Sequence, residues 1–135
     1  MGNIVWLASY PKSGNTWVRA FLANLIAGRP TPVALAELPR YADNDARPEL
    51  FRAAAGGGDI SQMDFAQLCA LRPRVHEQIA ASAPKTVFVK THSVAGSIDG
   101  VPLHNPQVGA GASQPVTTQM SLSVFSAFSV VQSFL

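Results

Sequence analysis

The sequence holds little that could cross-link or chelate. A single cysteine, Cys69, cannot close an internal disulfide, and the three histidines have none of the Cys/His spacings of a structural zinc site. A reducing compartment fits, the cytoplasm is the expected location, and no metal is expected. The start is equally bare: Met1-Gly2-Asn3 carries no basic stretch, and the apolar run that follows is too short for a secretion signal. Charge is scarce as well, at 13% of 135 residues, with 10 Lys+Arg against 8 Asp+Glu. A net charge of +2 with no basic run offers nothing that would track a phosphate backbone, so no nucleic-acid partner is expected.

The little charge there is stops early. Every Asp, Glu, Lys and Arg lies at or before Asp99. Gly, Ala, Ser, Gln, Thr and Pro dominate residues 107–119, and Met120 to Leu135 is an apolar stretch broken by serines. That stretch is shorter than the roughly 20 residues a bilayer crossing needs, so no membrane role is expected. Residues 1–108 read as the N-terminal portion of one domain. Residues 109–135 read as an uncharged, divergent tail of the kind a shifted reading frame leaves.

Within the charged part, periodicity gives an outline. Asn3 to Ser9 (NIVWLAS) suits a buried strand ended by Tyr10-Pro11. Trp17, Val18, Phe21, Leu22, Leu25 and Ile26 form a wide helical stripe, which predicts a helix over 15–27 ended by Gly28 and Pro30. Residues 29–60 are rich in Pro and contain Gly56-Gly57-Gly58, so they read as loop with one short helix over 48–55. Ser61 caps one predicted helix reaching Leu71, and Pro73 opens another ending near Ser82, both covering one sheet face. Thr86 to Thr91 (TVFVKT) reads as a second buried strand. The expected class is α/β, with a parallel sheet and crossover helices on its faces.

The chemistry concentrates in two segments. Tyr10-Pro11-Lys12-Ser13-Gly14-Asn15-Thr16-Trp17 joins the first strand to the first helix, where backbone N–H groups and the positive end of the helix favour an anion. Gly14 allows close approach, Lys12 supplies a charge, and Ser13, Asn15 and Thr16 are expected to add side-chain donors. A nucleotide-kinase loop would read G-x-x-x-x-G-K-[ST]; here the lysine precedes the glycine, which disfavours an ordinary ATPase. The second segment, Val89-Lys90-Thr91-His92-Ser93, ends the second strand, and its two-residue spacing puts Lys90 and His92 on one side. His76, in a predicted helix, and His104, in a Pro-flanked loop, read as structural or exposed.

YPKSGNTW resembles the 5′-phosphosulfate loop of sulfotransferases that use 3′-phosphoadenosine 5′-phosphosulfate (PAPS), usually written YPKSGTTW, with only Asn15 departing. VKTHS is similar to the KTH segment of the same family. The resemblance implies a P-loop-NTPase-like parallel sheet, PAPS as donor and a small-molecule acceptor bearing a hydroxyl or amine. It implies that His92 is the base, that Lys90 stabilises the transferring sulfuryl oxygens and that Lys12 stabilises the leaving phosphate oxygen. Lys12, Ser13, Gly14, Asn15, Thr16 and Trp17 would then bind the donor, with Trp17 stacking on adenine. The resemblance runs from about Asn3 to about Val108.

The family's later R-x-P segment and downstream serine, which hold the 3′-phosphate, have no counterpart, since no Arg or Lys follows Lys90. The expectation is a sulfotransferase fragment that is inactive and marginally folded as it stands. The alternatives are a catalytically dead nucleotide- or phosphate-binding module and a P-loop kinase relative. Neither the acceptor nor an oligomeric state is legible.

Overall fold

The computed structural model describes residues 2–109. The expectations for the tail lie outside the described residues, and the boundary expected near Val108 falls at their end.

Strand β1 (Ile4–Ala8) forms where the sequence places it, with Ile4 and Leu7 buried on opposite faces. Helix α1 (Asn15–Ala27) follows, and its two ends are set by glycines in the left-handed region, Gly14 at φ 94° and Gly28 at φ 56°. A 3-10 turn, Leu35–Arg40, leads to β2 (Ala42–Asn44). Then come α2 (Pro48–Ala54), α3 (Phe65–Ser82) and β3 (Val87–Thr91). A small hairpin, β4 (Ser97–Ile98) and β5 (Val101–Pro102), turns at Asp99 and Gly100, both with positive φ.

The sheet order is β1-β3-β2, and both pairings are parallel. β1 runs in register from Ile4↔Val87 to Ala8↔Thr91, and β2 from Ala42↔Phe88 to Asn44↔Lys90. On one face Ile4 and Val89 pack with Phe51 of α2 and Val75, Ile79 and Ala80 of α3. On the other, Leu7 and Ala42 pack under Leu22 of α1, with Val18 and Phe88 at the margin. Val108 closes the first face: it is fully buried, and its carbonyl accepts the Ile4 N–H at 2.6 Å. The molecule is thus α/β with a small parallel sheet covered on both faces. No helix among the described residues is long and apolar enough to cross a membrane.

Three expectations are corrected. The loop over 29–60 contains β2, a third strand. The two helices expected on either side of Pro73 are one, α3, which begins at Asp64 rather than at Ser61. Its start is fixed by a capping box, in which the Asp64 carboxylate accepts the Gln67 N–H and the Gln67 side chain accepts the Asp64 N–H. Burial of Cys69, Val75, His76, Ile79 and Ala80 along one side carries the helix through the proline. Finally, only a minority of the wide stripe of α1 is used: Leu22 is buried and Val18 partly so, whereas Trp17, Phe21, Leu25 and Ile26 are exposed.

Candidate functional site

In a parallel sheet all strand carboxyl ends lie on one edge, which is where α/β proteins place ligands. Here β1 and β3 end together, with Ala8 opposite Thr91 and the Ser9 N–H donating to the Thr91 carbonyl at 3.2 Å. Both sequence motifs leave the sheet from this point.

The first motif folds into a tight loop. Lys12 adopts φ 62°, an uncommon conformation for a residue with a side chain, and Gly14 adopts φ 94°. A Cβ at Gly14 would meet nothing within 4 Å, so the backbone angle and not crowding calls for glycine there. The Ser13 N–H and hydroxyl both donate to the Tyr10 carbonyl, at 3.2 and 2.6 Å. The N–H groups of Trp17 and Val18 return to the Gly14 carbonyl. The N–H groups of Gly14, Asn15 and Thr16 find no acceptor among the described residues. They are the orphan donors of the first turn of α1, at its positive end.

The side chains divide differently from the expectation. Lys12, Ser13, Thr16 and Trp17 are exposed, Trp17 by 82%, so the tryptophan is no core residue. Asn15 is buried, and its amide donates inward, to the Leu7 carbonyl at 2.9 Å and the Ser9 hydroxyl at 3.0 Å. It braces the loop against the end of β1. With the Ser13 hydroxyl also spent on Tyr10, an anion would meet the free backbone N–H groups, the Thr16 hydroxyl and the Lys12 ammonium.

The second motif meets the first. Lys90 is half-buried in β3, in register with Leu7 on one side and Asn44 on the other. His92 is exposed, with Nδ1 2.7 Å from the Ser9 carbonyl oxygen. A carbonyl only accepts, so Nδ1 carries the proton and Nε2 keeps its lone pair. The imidazole is therefore anchored to the first residue of the loop and presents a basic nitrogen.

Behind β3, on the face covered by α3, lies a buried polar cluster that the sequence did not announce. Asp45 is 2% exposed; its carboxylate accepts from the Arg72 guanidinium, which also donates through Nε to the Leu103 carbonyl at 3.2 Å. His76 is fully buried and accepts the Asn105 N–H at Nδ1, so its proton sits on Nε2, 3.7 Å from the Asp45 carboxylate. Trp6 lies edge-on between His76 and His104 at ring distances of 4.6 and 4.8 Å. Burial pushes both histidines below the usual imidazole range, His104 to about 4, and Asp45 opposes this only in part. Burial tends to raise the Asp45 carboxyl, but His76, Arg72 and the Thr91 hydroxyl together hold it below the carboxylate range. His76 is fully buried and His104 partly so; neither is exposed. A charge pair split between the turn after β2 and the middle of α3 has no periodic signature, which is why Asp45 and Arg72 are not legible in the sequence.

No protein-family model, curated protein or solved structure matches this chain.

Proposed function

We propose that the chain carries the 5′-phosphosulfate half of a PAPS-dependent sulfotransferase site, on a P-loop-like sheet. The observation that supports it most is the His92–Ser9 contact, which seats the KTH-like segment on the phosphate-type loop. Two resemblances far apart in the sequence thereby meet at one edge of the sheet, beside the free N–H groups of the loop.

The residues present fit one end of the donor and not the other. The 5′ end would meet the Gly14, Asn15 and Thr16 N–H groups, the Thr16 hydroxyl and Lys12. For the 3′-phosphate no Arg or Lys follows Lys90. Each charge-assisted hydrogen bond missing there forgoes about 1.5–3 kcal/mol. The donor, when bound, supplies the sulfuryl group. His92 Nε2 takes the proton of the acceptor hydroxyl or amine, while the Nδ1–H held by Ser9 keeps the ring from rotating away. Lys12 and the loop N–H groups would hold the negative charge that grows on the leaving phosphate, and Lys90 would serve the sulfuryl oxygens. The missing 3′ cations favour a second reading, a phosphate-binding module without turnover.

Calorimetric titration with PAPS, adenosine 3′,5′-bisphosphate, adenosine 5′-phosphate and ATP separates these readings. The expected result is weak binding in which the 3′-phosphate adds nothing, so that bisphosphate and monophosphate bind alike. Lys12→Ala should weaken both by about tenfold to a hundredfold. A preference for ATP points to the kinase relative. Undiminished binding in Lys12→Ala removes the loop from the reading, and sulfate transfer at a family-like rate overturns the view that the site is half complete.

A further inference from the structure

We propose that Thr91 is a positioning residue for His92, an inference that rests on the reading of His92 as the base. Thr91, the last residue of β3, is 1% exposed and points into the buried cluster on the face away from α1. Its hydroxyl oxygen accepts the Ser93 N–H at 3.1 Å, a bond that spans His92 and fixes the turn carrying it. Asp45 grips the strand just before it, through its own N–H on the Lys90 carbonyl at 3.3 Å. Arg72 fixes the carboxylate from behind. The Asp45 bond to Lys90 and the Thr91 bond to Ser93 thus lie on either side of His92, the one residue whose ring must stay on Ser9.

Imidazole nitrogen NMR of the whole chain tests this. In the native sequence His92 should show one tautomer, with the proton on Nδ1, and His76 the opposite one. Thr91→Val keeps the volume and removes the hydroxyl. In that variant the two His92 nitrogen signals should move together as the tautomers average, while His76 keeps its separation. Thr91→Ser should restore the native pattern. Two results overturn the proposal: native His92 signals in Thr91→Val with His76 unchanged, or averaging to the same extent in Thr91→Val and Thr91→Ser, which would mark packing alone. Should Thr91→Val disturb His76 too, Thr91→Cys decides, since a thiol fills the site with only a weak acceptor. Averaged His92 signals there support the proposal, and native ones overturn it. The readout involves neither anion binding nor turnover, so a failure of the sulfotransferase reading would leave this result standing, and the reverse holds as well.

Discussion

Asn15 occupies a position where side-chain chemistry and backbone direction diverge. Sequence reasoning finds an amide in an anion loop and points it at the anion. The fold turns it inward, because the carbonyl of Leu7 and the hydroxyl of Ser9 need a donor at the point where β1 stops pairing. Asn15→Ala should therefore cost stability, about 1–3 kcal/mol in urea unfolding, more than it costs phosphate affinity. An affinity loss without a stability loss would return Asn15 to the role of ligand. His104 offers a residue-scale test by pH. Its folded-state pKa of about 4 lies below the ordinary imidazole value, so its contribution is whole above roughly pH 6.5 and drains away as pH falls towards 4. His76, shifted in the same direction, adds to this loss. Melts between pH 7 and pH 4.5 should drop by several degrees, on the order of 4–8 °C per kcal/mol for a domain this small. His104→Phe should flatten that slope, and an unchanged slope refutes the assignment.

At the scale of elements, β1, α1 and β3 were legible because each has a strong period or a β-branched run bounded by Pro or Gly. β2 was not: Ala42-Asp43-Asn44 has no strand character of its own. It pairs because β3 offers an open edge and because Ala42, fully buried, fits beneath α1, where the Arg19 guanidinium donates to its carbonyl at 3.0 Å. Tertiary context overrides propensity there. The site was legible to the same degree. Its two motifs could be read, but the contact joining them links residues separated by 83 positions and has no local signal. Pro73 misled in the opposite direction, since a proline that usually opens a helix lies within one. The true start depends on Asp64, so Asp64→Ala should lower stability by about 1 kcal/mol, whereas Ser61→Ala, whose hydroxyl bonds only its exposed neighbours Asp59 and Gln62, should change it by less than about 0.5 kcal/mol. Chemical denaturation of the two variants side by side distinguishes a start at Asp64 from one at Ser61.

For the molecule as a whole, the apolar side chains of Trp17, Phe21 and Leu25 stand one turn apart on the exposed side of α1, with Ile26 beside them. Such a stripe favours self-association, so elution on a sizing column should depend on protein concentration. Leu25→Glu should weaken that dependence without lowering the melting temperature, and a loss of stability would instead show the stripe to be covered. The sheet has a consequence in time as well as in space. Its central strand is β3, the last of the three to be synthesised, and β1 and β2 both pair along their length with it. At about 5–20 residues per second, a ribosome that has finished Ser9 needs roughly 4–17 s more to deliver His92. Throughout that interval the loop of Lys12 and Gly14 has neither a sheet behind it nor an imidazole beside it. The segment made first is the one whose surroundings are assembled last, and the nascent chain must keep β1 from other partners until its own arrives.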